Sequence, residues 1–151
     1  MAGYAEKRNP PRGAVNLILI STDKKLRLCL ASMFPGKQGA PMIIARRTLT
    51  LRQQGQDHPV EVTLAAPRFE TGCWLCSYEI HWPSGPRRFY GAGAASMQAL
   101  VIAMQMVSAE LYTSASGKAG ELFFERPGAG FSIPTLPSMR DLLTEEDAQS
   151  V

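Results

Sequence analysis

The sequence predicts an α+β fold, an antiparallel β-sheet meander of about five strands in the order β-β-β-β-α-β with one long amphipathic helix packed on one face. Three observations carry this. Between Ile43 and Gly91 apolar and polar residues alternate with the period of a half-buried strand, broken by short clusters rich in Gly, Pro and polar side chains. After Gly93 the period changes to that of a helix. The strand connections are short, which antiparallel neighbours tolerate and parallel crossovers do not.

The first strand is read over Ile43 to Arg52, where Arg47, Leu49 and Leu51 alternate with Arg46, Thr48 and Thr50. Gln53 to His58 supplies a polar turn, and Val60, Val62 and Leu64 form the inner row of a second strand ending at Ala65-Ala66-Pro67. After a loop from Pro67 to Gly72, Trp74, Cys76, Tyr78, Ile80 and Trp82 share one face of a third strand, with Leu75, Ser77, Glu79 and His81 on the other. Pro83 to Pro86 turns the chain, and Arg87 to Gly91 returns as a fourth strand. The helix follows, its stripe read as Met97, Leu100, Val101, Met104, Val107, Ser108 and Leu111, with Ser96 as N-cap and an end near Thr113 to Gly117. Glu121 to Glu125 is read as the fifth strand, Pro127 to Pro134 as an extended segment.

Three regions result: a basic N-terminal extension over residues 1–41, a single α+β domain over 42–137, and an acidic C-terminal tail over 138–151. The extension holds seven basic and two acidic side chains, net +5, while the remaining residues hold nine basic and eleven acidic, net −2. It contains an apolar run, Val15 to Ile20, and an alternating one, Lys25 to Met33, between Pro/Gly clusters. It reads either as a β-hairpin turning at Ser21 to Lys24 or as an ill-ordered extension. No apolar run suits a membrane span or signal peptide, so the expected location is cytoplasmic. Three cysteines, an odd number, argue against a disulfide framework and for free thiols.

Chemistry is thinly represented. Cys73 and Cys76 form a C-x-x-C pair, but on a strand residues three apart point to opposite faces, unlike the helix-opening pair of a redox site. His58 and His81 have neither the spacing nor the companions of a zinc site. No nucleophile elbow accompanies Cys76, Ser77 and His81. Gly91 to Ser96 joins a strand to a helix, the context of a phosphate cradle, yet lacks the third glycine and the lysine of known cradles. No cofactor or metal is expected. The remaining constellation is aromatic and basic: Trp74, Tyr78 and Trp82 with Arg87, Arg88 and Tyr90. These six serve either as a binding surface or, for the aromatic row, as the core face under the helix.

The stretch from Ile44 to Pro134 resembles a family of small uncharacterised bacterial α+β proteins, a domain of unknown function. The resemblance lies in the opening Ala45-Arg46-Arg47-Thr48-Leu49, the central Trp74-x-Cys76, the helical Gln98-Ala99-Leu100 after a glycine, and the closing Gly130-Phe131-x-Ile133-Pro134. Where family members carry an Asp just before the helix, this chain has Ala95. The resemblance implies a shared fold and no activity. The expected function is that of a non-enzymatic protein-protein interaction module of immunity or accessory type. The alternatives are a single-stranded nucleic-acid binder using the basic and aromatic sheet face, and a small enzyme using Cys76 and His81.

Overall fold

The computed structural model describes residues 40–148 except Thr71. The N-terminal hairpin or extension expected over residues 1–41 lies almost wholly outside the described residues. The fold is α+β: an antiparallel open sheet of six strands with one main helix packed against it. The strands are β1 (Ile43–Gln53), β2 (Gln56–Ala65), β3 (Arg68–Glu70), β4 (Cys73–Trp82), β5 (Gly85–Gly93) and β6 (Leu122–Phe123). The main helix, α1, spans Ser96–Thr113. A short α2 (Ala115–Lys118), a 3-10 turn (Pro137–Leu142) and a short α3 (Glu145–Ala148) are the other helical elements among the described residues.

The first hairpin closes more tightly than the polar turn predicts. Gln53 pairs with Gln56, so only Gln54 and Gly55 turn, both with positive φ, as the right-handed strand twist favours in two-residue loops. β2 and β3 follow one another along the same edge of β4, interrupted at Ala66-Pro67. The loop predicted between Pro67 and Gly72 therefore contains a short strand. β5 pairs with the other edge of β4 from Gly93↔Trp74 to Gly85↔Trp82. The last strand is shorter than predicted, Leu122–Phe123, and pairs with β1 at the far side of the sheet. Across the sheet the order is β5, β4, β2 with β3, β1, β6.

One face of this sheet is the core. Leu49 and Leu51 of β1, Val60 and Val62 of β2, and Cys76, Tyr78 and Ile80 of β4 are buried against Ala99, Ala103, Val107 and Leu111 of α1. The helix packs on β4 and β5, and small residues let it come close. A Cβ on Gly91 would stand 2.6 Å from the carbonyl oxygen of Ala99, and one on Gly93 2.6 Å from the amide nitrogen of Ala99. This corrects the predicted stripe: the inward face is set by Ala99 and Ala103, and Met97 and Val101 point to solvent. The predicted cap is also displaced. Ala95 is the N-cap, with no side-chain bond, and Ser96 is the first helical residue. The N–H of Ala94, the residue before the N-cap, donates to Gln98 Oε1 at 2.8 Å, so the Gln98 side chain reaches back over the helix start.

The chain after β6 crosses the core face beside the helix. Arg47 of β1 donates to the carbonyls of Phe131 (2.6 Å) and Ser132 (3.2 Å) and stacks over the Phe124 ring at 4.4 Å. Phe131 is buried against the Tyr112 ring. The segment read as an acidic tail brings Asp147 back into this contact. Its carboxylate accepts from the Tyr112 hydroxyl, from the Phe131 N–H at 2.7 Å and from the Ser132 N–H at 3.0 Å.

Candidate functional site

Side-chain alternation divides the six residues singled out in the sequence between two faces. Trp74, Tyr78 and Trp82 lie on the helix side, where Tyr78 is buried and the two tryptophans pack partly buried against the core. Arg87 pairs with Ile80 in register and so shares that face. Its Nε lies 2.7 Å from Glu110 Oε2 of α1, whose other oxygen accepts from the Tyr78 hydroxyl at 2.6 Å. Burial, reinforced by that carboxylate, pushes the Tyr78 phenol upward in pKa. Arg88 and Tyr90, opposite Glu79 and Ser77, belong to the outer face. The six do not form one continuous surface.

Cys76 and His81 are not brought together either. Cys76 is fully buried on the helix side, where its thiol donates to the Ala65 carbonyl at 3.3 Å and burial pushes its pKa up to about 11. His81, an odd number of residues further along β4, is exposed on the outer face beside Glu79. A thiol held protonated and out of reach of its base is a poor nucleophile. Cys73 is disulfide-bonded, which corrects the expectation of free thiols for that residue. Among the described residues no group of three or more His, Cys, Asp or Glu is placed to hold a metal ion.

The outer face is a lattice of paired charge. Arg46 lies 3.2 Å from Glu61, Arg88 2.9 Å from Glu79, and Arg52 2.7 Å from Asp57. The hydrogen bond from Arg88 holds the Glu79 carboxyl below its usual range, and that from Arg52 does the same for Asp57. The glycines before the helix, read as a possible cradle, are occupied by helix packing, as the positions of Gly91 and Gly93 show.

The unfilled ground is on the helix side, at the end of the β1–β2 hairpin away from its turn, where Val62 and Leu64 lie in register with Ile80 and Tyr78 of β4. The helix covers β4 and β5, and the Phe131 segment covers the middle of β1 and β2. Between them Ala45, Val62 and Leu64 of the sheet, Met104 and Val107 of the helix, and Ile133-Pro134 enclose a cavity of about 170 Å³. Its two arginines are engaged, Arg47 with the Phe131 and Ser132 carbonyls and Arg46 with Glu61. Where β4 begins, Phe69 of β3, edge-on to Trp74 at 5.7 Å, is 62% exposed. Met97 on the first turn of α1 is 76% exposed, and Val101 one turn on is also open. The cavity is lined mainly by apolar side chains, with Ser132 and the two paired arginines the polar residues of its lining. Sequence patterning missed Phe69, which was assigned to a loop, and placed Met97 and Val101 inside. One signal was available: α1 carries a single charged residue, Glu110, in eighteen, and a helix apolar on most sides has more than one side to cover.

The model of the family described as a domain of unknown function, DUF6968, matches residues 45–135, more than half of the chain. The chain belongs to this family. The match begins at Ala45 in β1 and ends at Thr135, just past Ile133-Pro134, so the DUF6968 domain includes the sheet, the helix and every residue lining the cavity. No curated protein and no solved structure matches the chain. Among the described residues no helix is long and apolar enough to cross a membrane.

Proposed function

We propose that this DUF6968 chain works by binding another polypeptide, without catalysis, as an accessory protein that docks through its apolar helix side. The observation that carries the reading is the exposure of apolar side chains on the helix side of the domain, Phe69 from β3 and Met97 and Val101 from α1, on a domain that also holds a cavity lined mainly by apolar side chains. A patch of this composition on a small domain marks an interaction surface more often than a solvated one. The partner must present two or three neighbouring apolar side chains, one of which fits the cavity. Burial of a large apolar side chain contributes about 1.5–3 kcal/mol before the cost of association is subtracted.

The test uses affinity capture from the source cell with the full chain, with Phe69→Asp and Met97→Glu on the helix side, and with Lys118→Glu at a remote exposed site. One stoichiometric protein retained by wild type and Lys118→Glu, and reduced at least about ten-fold by both helix-side variants, is the expected result. Helix-side variants that stay folded by circular dichroism and still retain the partner overturn the proposal. So does salt-sensitive retention of nucleic acid in its place.

A further inference from the structure

We infer that residues 130–134 form a strap over the cavity and that α3 holds this strap shut through the Asp147 carboxylate, so that releasing α3 opens the cavity. The inference concerns how the cavity is closed, and it stands whether or not the exposed apolar side chains of the helix side dock a partner.

The strap belongs to neither sheet nor helix, so its backbone N–H and C=O groups need partners from elsewhere. Two charged side chains on different elements supply them. Arg47 of β1 donates to the carbonyls of Phe131 and Ser132 at 2.6 and 3.2 Å, and Asp147 of α3 accepts from the N–H groups of the same two residues at 2.7 and 3.0 Å. Phe131 anchors the strap, buried against the Tyr112 ring. Ser132 is the pivot. Its φ of 48° is one that a residue with a Cβ seldom adopts, and such a conformation persists only while the surroundings impose it. Ser132, Ile133 and Pro134 line the cavity together with Val62 and Leu64 of β2 and Met104 and Val107 of α1. With the strap in place Val62 and Val107 are only 3% and 1% exposed.

The hold is narrow at the α3 end. The hydrogen bonds that tie α3 to Tyr112, Phe131 and Ser132 all end on the Asp147 carboxylate, while Glu145 and Ala148 of the same helix are exposed. A helix of four residues is marginal by itself, so this one carboxylate decides whether α3 stays docked. Gly130 shows how closely it is seated: a Cβ there would run into the Asp147 carboxylate. Once that carboxylate leaves, the N–H groups of Phe131 and Ser132 lose their acceptor, Ser132 returns to negative φ, and Ile133-Pro134 lifts from the cavity with Arg47 alone on the strap. The coupling runs both ways. An occupant that needs the strap open loosens α3 by the same factor by which loss of α3 favours the occupant.

The experiment reads access to the cavity as thiol reactivity in the full chain. Val107→Cys places a thiol in the cavity lining, and the native Cys76, buried with its thiol bonded to the Ala65 carbonyl, reports opening of the core as a whole. Alkylation by N-ethylmaleimide without reductant, which keeps the disulfide at Cys73 intact, is followed at each site by peptide mass spectrometry. Two further variants are made separately in the Val107→Cys chain: Asp147→Ala, which removes the carboxylate, and Gly130→Ala, which expels it unaltered. Each is expected to speed labelling of the introduced thiol about ten- to a hundred-fold, the scale of a lost hydrogen bond to a charged group, with the Cys76 rate close to that of the parent chain. Equal acceleration at both sites overturns the inference, because the variants then only loosen the whole domain. Folded variants whose introduced thiol reacts no faster than in the parent chain overturn it as well.

Discussion

At Gly91 a hydrogen in place of a methyl group sets how closely the helix can lie on the sheet. The residue's backbone is not in the left-handed region, so its glycine is required by contact. Added there, a Cβ meets the backbone of Ala99 and Ala103, and backbone cannot swing aside as a side-chain end would. Gly91→Ala is expected to push α1 off β5 and lower stability by about 1–3 kcal/mol, the usual range for overpacking. The midpoint of urea unfolding measures it. A midpoint unchanged from wild type would mean that the helix does not rest on this strand. Glycines in the strand-to-helix junction were visible in the sequence, and a phosphate cradle was weighed for them. What a linear pattern cannot show is that Ala99 and Ala103 stand opposite, because the match of small to small is made across two elements.

Elements were most legible where one periodicity and one covering layer decide the outcome. β1, β2, β4 and β5 have a single inner row each, and the alternation of Leu49 with Leu51, Val60 with Val62, and Cys76 with Tyr78 and Ile80 identifies it. The helix was legible as a helix, while its buried side was not. At its N-terminal half only Ala99 and Ala103 are buried, whereas towards the C-terminus Ser108, Leu111 and Tyr112 are all covered, because the returning chain wraps a second side. That return was unreadable in Ser138 to Val151, whose acidic residues resemble a solvated tail. It depends on one carboxylate, Asp147, satisfying a buried hydroxyl and two backbone N–H groups. The N–H groups of Phe131 and Ser132 are adjacent and face the same carboxylate. Asp147→Ala leaves all three donors without that acceptor and is expected to cost about 2–3 kcal/mol, the scale of hydrogen bonds to a charged group. Hydrogen exchange at Phe131 and Ser132 should accelerate in the same variant. Amide protection equal to wild type would show that α3 does not hold the segment.

For the whole molecule, the core on the helix side holds Cys76, Tyr78 and Tyr112, and these three answer to pH in the same direction. The cavity was not legible in the sequence, since a sheet this wide under one helix leaves ground whose position depends on where the returning chain falls. Cys76 is pushed from 9.0 up to about 11 by burial, and Tyr112 from 10.0 up to about 12 by burial and by its bond to Asp147. Tyr78 moves the same way for the same reason. A raised folded pKa means that the folded chain keeps its proton while the unfolded chain has begun to lose it. The stabilisation from Cys76 and Tyr112 is therefore complete below about pH 9 and is lost as pH rises through about 11 and about 12 respectively, while that from Tyr78 persists to higher pH. The carboxylates with lowered values, Asp57 and Glu79, work oppositely: their contribution is present above the ordinary carboxylate range and lost as pH falls through their depressed values. Both belong to outer-face pairs with exposed arginines, where water and salt screen most of the effect. Unfolding temperature measured across pH is thus expected to be asymmetric, nearly flat from neutrality to mildly acidic conditions and steeply falling above pH 9. Cys76→Ala should remove the earliest part of the alkaline decline and leave the later part due to the tyrosines. A curve that stays flat to pH 11 would show that water reaches the Cys76 thiol, and with it that the helix does not seal the sheet face.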